Sequence, residues 1–261
     1  MNVLVFDIET VPDIDGARRL HDFEALSDLE VAEALFCLRR QEQNGAEVLR
    51  LPLQKIVAIS AVLHSGSQLK VWSLGEVDSS EKELIQRFFA GIEKYTPTLV
   101  SWNGGGFDLP VLHYRALLHG VTAARYWDMG EEDREFKWNN YISRYHSRHT
   151  DLMDLLALYQ PKAYAPLDQV ASLLGFPGKM GMKGDQVWPT YLAGDLTKIR
   201  NYCETDVLNT YLIYLRYLLM RGQLDEQGYA QQQQKLLDYL IAHPYHEHWQ
   251  QFAVRMNQHD S

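Results

Sequence analysis

The feature that most constrains the fold of this chain is a pair of acids directly after an apolar run. Residues 3–6 are apolar and rich in β-branched and aromatic side chains, and Asp7 and Glu9 follow them. The run predicts a short strand that is buried on both faces. Because residues i and i+2 of a strand point to the same side, the two carboxylates lie together at the strand's end, before a turn at Val11-Pro12-Asp13. Such a pair can hold a cation, but an isolated Asp-x-Glu is more often only a charged strand terminus.

Strands and helices then alternate, which predicts an α/β sheet. Residues 56–62 and 69–74 have the composition of strands and are separated by Ser65-Gly66-Ser67, so they predict a hairpin. A helix capped by Ser80 follows, and residues 98–102 predict the next strand.

The stretch between the acid pair and the hairpin is polar and charged. Residues 14–54 predict an insertion that packs on the flank of the domain. Its one helical signal begins at a capping box formed by Ser27 and Glu30 and ends near Asn44-Gly45.

A further acid follows a glycine-rich turn. The strand over residues 98–102 runs into Asn103, three consecutive glycines, Phe107 and Asp108. The glycines let the backbone turn sharply and let a ligand approach closely. Asp108 stands where a helix begins, so it could simply cap that helix. Its position favours a larger role, because ligands of open α/β sheets bind at the carboxyl ends of strands.

The last informative segment is a helix that carries Tyr202 and Asp206. Their spacing of four residues places both side chains on one face, one turn apart. The apolar residues between Val207 and Leu219 predict that this helix is largely buried. A carboxylate on a buried helix needs a partner, and a metal ion is one.

Three other segments are less specific. Residues 122–148 mix aromatic and basic side chains, which fits either a stacking platform for single-stranded nucleic acid or a surface excursion with ordinary aromatics. Residues 177–184 form a glycine-rich loop with two lysines but no Walker pattern, and we expect a mobile basic loop that contacts phosphates. Asp151 is expected to cap a short helix and Asp154 to lie in its first turn, both as structural residues.

The charge balance excludes one kind of partner. Lys+Arg number 25 and Asp+Glu 34 in the 261 residues, which gives a net charge of −9. The strongly basic footprint of a tight duplex binder is therefore missing from the sequence. No apolar run approaches the length of a membrane span and no targeting signal is visible, so we expect no membrane partner and a cytoplasmic location. Cys37 and Cys203 are far apart in sequence and are expected to be reduced thiols.

In their order and context, the acidic segments resemble the three motifs of the DEDD superfamily of 3′-5′ exonucleases, in its tyrosine subgroup. Phe6–Thr10 matches the first motif, Asn103–Pro110 the second and Tyr202–Asp206 the third. The histidine subgroup would carry His where this chain has Asn201. More narrowly, residues 1–220 resemble stand-alone exonucleases related to the proofreading domain of family-B DNA polymerases. The stand-alone form is expected because no polymerase domain follows in this sequence.

This resemblance implies a ribonuclease-H-like α/β fold, with a mixed five-stranded sheet flanked by helices and the acids at its centre. It also implies two divalent cations, Mg²⁺ or Mn²⁺, and hard cations of this kind prefer oxygen ligands. In the family's arrangement Asp7 bridges the two ions, and Glu9 and Asp206 complete the site that activates water. Asp108 holds the second ion largely through water, and Tyr202 orients the attacking water.

The resemblance also assigns residues to the 3′-terminal nucleotides. Thr10 and Asn103 would form hydrogen bonds to them, and Phe107 would stack on a base. The expected domain organisation is an exonuclease domain over residues 1–220 with a helical extension over residues 221–261 packed on it.

The expected function is metal-dependent 3′-5′ hydrolysis of single-stranded DNA by a two-metal mechanism, and three rivals stay open. The first is an exoribonuclease that trims RNA, because no motif reports on the 2′-hydroxyl. The second is a non-catalytic nucleic-acid-binding or protein-binding module on the same fold, although none of the acids is lost. The third is an endonuclease of the same superfold. The expected partner is single-stranded nucleic acid, DNA rather than RNA, and the sequence identifies no protein partner.

Overall fold

The fold was analysed in a computed structural model that describes residues 2–42 and 48–258. The described residues form one mixed sheet with the strand order β3-β2-β1-β4-β5. Its strands are β1 (Asn2–Pro12), β2 (Gln54–Ser65), β3 (Gln68–Ser73), β4 (Thr98–Ser101) and β5 (His149–Asp151). The pairs β1–β2 and β2–β3 are antiparallel, whereas β1–β4 and β4–β5 are parallel. The predicted mixed five-stranded α/β sheet is confirmed.

Helices flank the sheet on both sides. They are α1 (Ile14–Leu20), α2 (Asp28–Glu42), α3 (Glu81–Tyr95), α4 (Asp108–His119), α5 (Ala124–Trp127), α6 (Leu152–Leu156), α7 (Leu167–Leu173), α8 (Val187–Leu192), α9 (Leu196–Met220), α10 (Glu226–Ile241) and α11 (Glu247–Gln258). None of the described helices is both long enough and apolar enough to cross a membrane.

The alternation of side chains along β1 decides which layer each residue meets. Leu4, Phe6 and Ile8 belong to the apolar core beneath α3 and α4. Val3 and Val5 belong to the opposite core, which α9, α10 and α11 cover. Because the side-chain period of a strand is two, the odd-numbered positions that follow Val5 also face α9.

Strand β1 extends further than the sequence predicted. It pairs with β4 only over Val3–Val5, but its pairing with β2 continues to Pro12, with a bulge between Glu9 and Thr10. The two acids therefore lie inside the strand, and the prediction that they stand at its end is wrong. Asp7 lies beyond the last residue of β1 that pairs with β4, so the loop that follows β4 can lie beside it.

Most of the predicted elements are confirmed. The predicted hairpin is β2–β3, and Ser80 caps α3 by accepting a hydrogen bond from the backbone N–H of Glu83. Strand β5 was not predicted from pattern, because three residues are too few to show a period. The sequence predicted the start of a helix at the same place, and α6 does begin directly after β5.

The region between β1 and β2 folds into α1 and α2, whose apolar residues form a small core with Leu49 and Leu53. Ser27 and Glu30 form the predicted capping box at the start of α2. The predicted end of this helix near Asn44-Gly45 lies outside the described residues.

Beyond α9, the chain continues as α10 and α11, and both pack on α9. The division into an exonuclease domain and a C-terminal extension stays a prediction. Both cysteines are free thiols, as expected, with Cys37 exposed and Cys203 buried.

Candidate active site

Two acids of β1 meet helix α9 because they occupy odd-numbered positions of the strand. Asp7 and Glu9 are half-buried. Cys203, on α9, lies with its Sγ 3.4 Å from the backbone oxygen of Asp7 and 3.5 Å from its Oδ2. Ligand atoms of Asp7, Glu9 and Cys203 all lie within 4.8 Å of one another. The strand and the helix therefore form one wall of a shared acidic site.

Asp108 reaches this site from α4. It is buried, and its Oδ1 accepts a hydrogen bond from the backbone N–H of Ile8 at 3.1 Å. Helix α4 begins at Asp108 itself, and its N-cap residue, Phe107, makes no side-chain capping bond. The alternative in which Asp108 serves as the N-cap is thus wrong. The carboxylate instead spans from the helix to the backbone between Asp7 and Glu9.

Tyr202 and Asp206 complete the cluster from α9. Tyr202 and Asp206 interact on one face of α9, as their spacing of one helical turn predicts, and each affects the pKa of the other. Apolar residues that include Val11, Ile199 and Cys203 pack around Tyr202. Five side chains expected from the sequence to work together therefore converge from three separate elements, while their catalytic roles stay predictions.

Charge repulsion and burial act on all four carboxyl groups. Burial, and then the charges of Asp108, Glu9 and Asp206, raise the pKa of Asp7 well above its ordinary value. Burial and the charge of Asp206 do the same to the pKa of Glu9. Burial raises the pKa of Asp108 to about 7 and that of Asp206 to about 6. Burial also raises the pKa of Tyr202, so its hydroxyl stays protonated at neutral pH.

The donor set fits divalent cations. Among residues 2–42 and 48–258, no arginine or lysine lies within 4.0 Å of any of the four carboxylates as an ion-pair partner. Buried carboxylates without such a partner are unfavourable when ionised, and a bound cation would relieve that cost. Clustered carboxylate oxygens are the ligands preferred by hard cations such as Mg²⁺ and Mn²⁺. Asp7, Glu9, Asp108 and Asp206 could therefore hold the implied ions.

The glycine turn beside the site is fixed by a carboxylate that the sequence marked only as a helix cap. Asp151 does cap α6, accepting the N–H groups of Met153 and Asp154. It also accepts the N–H of Asn103 at 3.0 Å and that of Gly105 at 2.8 Å. Its place at the end of β5, which neighbours β4 in the parallel part of the sheet, is the signal that could have revealed this second role.

Gly104 lets the same turn lie against β4. A Cβ on Gly104 would overlap the side chain of Ser101, and Ser101 is fully buried. Asn103 has a positive φ of 65°, in the left-handed region that Asn tolerates better than most residues. The turn therefore needs this composition to return the chain toward Asp108.

The glycine-rich loop over residues 177–184 is anchored at three of its residues, while its expected mobility and its contact with phosphates stay predictions. Asn209 forms two hydrogen bonds with Gly178. Its side-chain oxygen accepts from the Gly178 N–H at 3.0 Å, and its side-chain amide donates to the Gly178 carbonyl oxygen at 2.9 Å. Asp168 accepts the N–H of Lys179 at 2.7 Å, and Met182 is buried.

This anchoring holds Lys179 close to the acids. Although the side chain of Lys179 is exposed, its charge lowers the pKa of Glu9 and that of Asp206, against the larger effect of burial. The sequence showed the two lysines of the loop but gave no reason to bring Lys179 to the carboxylates.

The residues expected to contact substrate are partly accessible. Thr10, Asn103 and Phe107 are half-buried. The Thr10 hydroxyl donates to Oε1 of Gln54 at 2.8 Å, so its lone pairs stay available to a donor. Phe107 packs its partly buried ring against the core beneath α4. Their substrate contacts stay predictions.

The aromatic and basic segment before β5 divides into two groups. Phe136 and Tyr141 are buried, and the Arg148 guanidinium lies 4.2 Å from the centre of the Phe136 ring. Trp138 and Tyr145 are 76% and 79% exposed. Part of the segment is therefore ordinary core, and only the exposed rings remain free to stack on a base.

A family model matches most of the chain. Its description is "Predicted 3'-5' exonuclease related to the exonuclease domain of PolB", and the match covers residues 46–256. The matched region contains Asp108, Tyr202 and Asp206, and it begins after the segment with Asp7 and Glu9.

Similar curated proteins are DNA polymerases. The catalytic polypeptide of DNA polymerase epsilon from Emericella nidulans is 27% identical over 146 residues, which cover 54% of this chain and 6% of that protein. Its counterpart of the same name from Saccharomyces cerevisiae is 26% identical over 151 residues and is covered to the same 6%. The DNA polymerase of Archaeoglobus fulgidus is 26% identical over 149 residues, covering 56% of this chain and 19% of the polymerase. The chain thus spans only a small part of the length of these relatives.

Among solved structures, a family B DNA polymerase from the archaeon Pyrobaculum calidifontis is similar in fold. It superimposes with a TM-score of 0.50 and 18% sequence identity, over 84% of this chain and 24% of the polymerase chain. This likeness concerns the fold alone, and it confirms the expected ribonuclease-H-like class.

Proposed function

The chain belongs to the family of 3′-5′ exonucleases related to the exonuclease domain of PolB, and from this membership we propose that it hydrolyses single-stranded DNA from the 3′ end by a two-metal mechanism. The observation that carries the proposal is the convergence of four carboxylates, from β1, α4 and α9, in one partly buried cluster. Exonuclease domains of this family use divalent metals, and the donor set described above suits them.

The chemistry requires such a cluster. Hydrolysis of a phosphodiester needs an activated water and a counter-charge for the departing 3′-oxygen, and a pair of divalent ions supplies both. Asp7 would be suited to hold both ions, because the charges of Asp108, Glu9 and Asp206 all act on its carboxylate. We propose that Glu9 and Asp206 would hold an ion that activates water, and that Asp108 would hold an ion that supplies counter-charge to the departing oxygen.

Tyr202 is suited to orient the attacking water. Its hydroxyl lies beside the Asp206 carboxylate and keeps its proton at neutral pH. A protonated hydroxyl has one donor and two acceptor positions, so it can accept from the water while it donates to the carboxylate. Tyr202 would therefore orient the water and would not remove its proton.

The substrate is proposed to be a single strand held at its last nucleotides. Thr10 and Phe107 are adjacent in sequence to Glu9 and Asp108, and with Asn103 they are assigned to the contacts with a 3′ end. A net charge of −9 suits an enzyme that holds a few nucleotides beside metal ions better than one that binds a long duplex. The stand-alone form, the tyrosine subgroup and a cytoplasmic location stay predictions.

The test is digestion of 5′-labelled single-stranded DNA and RNA of matched sequence, with Mg²⁺, Mn²⁺ or EDTA. The wild type is compared with Asp206→Asn and with the control Asp78→Asn, which changes an exposed acid. We expect a ladder that shortens from the 3′ end on DNA, with loss of activity in EDTA and in Asp206→Asn but not in Asp78→Asn.

Three outcomes would replace the proposal. Preference for RNA would make the protein an exoribonuclease, and cleavage of closed circular single-stranded DNA would make it an endonuclease. If folded protein that binds Mn²⁺ cuts none of these substrates, the proposed activity is wrong.

A further inference from the structure

A second group of metal-ligating side chains lies where α11 meets α9 and β3, outside the carboxylate cluster. It consists of Glu204, which is 8% exposed at its side chain, His248, which is 13% exposed, and His246, which is exposed. Ligand atoms of these three residues all lie within 4.8 Å of one another. The His246 and His248 rings have centroids 5.8 Å apart and are nearly perpendicular.

The carboxylate at the centre of this group is held in place by neighbours that donate hydrogen bonds. Its Oε1 accepts from the Ser73 hydroxyl at 2.7 Å, and its Oε2 accepts from the Trp249 indole N–H at 2.9 Å. The Oε2 atom also lies 2.7 Å from Nε2 of His248. Ligating carboxylates are typically oriented by hydrogen bonds of this kind from surrounding residues.

We propose that Glu204, His246 and His248 form a metal site for a borderline transition metal, with Zn²⁺ as the natural occupant. Two imidazoles and one carboxylate suit Zn²⁺, whereas Mg²⁺ favours sites built from oxygen alone. The donor chemistry therefore separates this site from the carboxylate cluster.

The geometry needs only small movements to accept the ion. Bonds of about 2.0–2.1 Å in a tetrahedral site place neighbouring ligand atoms about 3.3 Å apart, so the contact between Glu204 and His248 opens slightly. The Nε2 lone pair of His248 must face the metal, and the ring proton accordingly moves to Nδ1. His246 is exposed, but its ring stacks on that of Trp249 with centroids 3.9 Å apart, so it must tilt away from Trp249 to face the ion.

The site would fasten the C-terminal helix to the helix that carries the proposed catalytic residues. Glu204 lies between Tyr202 and Asp206 in sequence, and His248 belongs to α11. A cavity of 420 Å³ is lined by Tyr202 and His248 among others, so the same space adjoins both sites. A metal ion bound here would stabilise the position of α11 beside that cavity.

The test measures Zn²⁺ and Co²⁺ binding to full-length protein whose carboxylate cluster is disabled by Asp7→Asn and Asp206→Asn. In this background we compare His246→Ala and His248→Ala with the control His243→Ala. His243 lies nearby, where its Nδ1 contacts the Tyr239 carbonyl oxygen, but it is not one of the three ligands.

We expect one Zn²⁺ per chain by calorimetry, with at least tenfold weaker binding after either ligand substitution and unchanged binding after His243→Ala. The Co²⁺ complex should show visible d–d absorption without a thiolate charge-transfer band, because no cysteine takes part. Circular dichroism checks the folding of each variant. If His248→Ala does not fold, the result depends on His246→Ala, which changes an exposed residue. Absence of binding, equal binding in all variants or a thiolate band would overturn the proposal. Because the background is disabled for hydrolysis, the result is independent of the exonuclease assay.

Discussion

Replacement of Asp206 by Asn should stabilise the metal-free protein, although it should abolish activity. Asp206 is a half-buried acid among three others, and burial raises its pKa from 3.8 to about 6. Asn has nearly the same shape, carries no charge and keeps an oxygen that can accept a hydrogen bond from Tyr202. The substitution therefore removes an unfavourable charge while it keeps the local packing.

The expected size follows from the pKa. A folded-state pKa that exceeds the unfolded value means that ionised Asp206 opposes folding, with a cost of about 1.4 kcal/mol per pKa unit. A rise from 3.8 to about 6 corresponds to about 3 kcal/mol. The cost is absent below pH 3.8, grows as the pH rises toward 6 and is complete above that value. The stabilisation by Asp206→Asn should accordingly be full at pH 8 and small at pH 4.

The assay is urea denaturation in EDTA at pH 8 and pH 4, followed by the same measurement at pH 8 with Mn²⁺. Asp78→Asn, an exposed substitution, should leave the free energy of unfolding unchanged at each pH. Added Mn²⁺ should stabilise the wild type more than Asp206→Asn, because the wild type retains the full set of ligands. If Asp206→Asn is no more stable than the wild type at pH 8 in EDTA, the acid cluster does not carry the electrostatic strain inferred here.

Three other substitutions test separate parts of the site. Tyr202→Phe should lower kcat about 10- to 100-fold with little change in Mn²⁺ affinity, because it removes a hydroxyl that positions water; a normal kcat would exclude that role. Gly104→Ala should cost about 1–3 kcal/mol in unfolding free energy, since the new Cβ overlaps Ser101; unchanged stability in urea would show that the turn does not need glycine. Lys179→Ala should move the acidic limb of the activity profile to higher pH, because this lysine lowers the pKa of Asp206; an unshifted limb would contradict that electrostatic contact.

Much of the site could be predicted because its residues carry local signals. Asp7 and Glu9 follow a recognisable apolar run within β1, and the period of two that places them together also directs them to α9. Tyr202 and Asp206 have helical spacing on a segment with clear apolar periodicity. These relations depend on near neighbours in the chain, which is why the sequence alone reveals them.

The features that could not be predicted depend on contacts between distant segments. Asp151 accepts a hydrogen bond from Asn103, which lies 48 residues away in sequence, and Asn209 accepts one from Gly178, which lies 31 residues away. The length of β1 depends on its pairing with β2, so the acids lie within the strand instead of at its end. Strand β5 is too short to show a period and gains its identity only by pairing with β4.

The central claim is that the acid cluster binds a pair of divalent cations, and counting bound Mn²⁺ tests it most directly. Electron paramagnetic resonance can report the number of bound Mn²⁺ ions per chain for the wild type and for Asp7→Asn. Both proteins are measured with a nucleoside monophosphate present, at the Mn²⁺ concentration that just saturates the wild type. Since Asp7 is assigned to both ions, the wild type should bind two more ions than Asp7→Asn. Equal counts in the two proteins would contradict the claim.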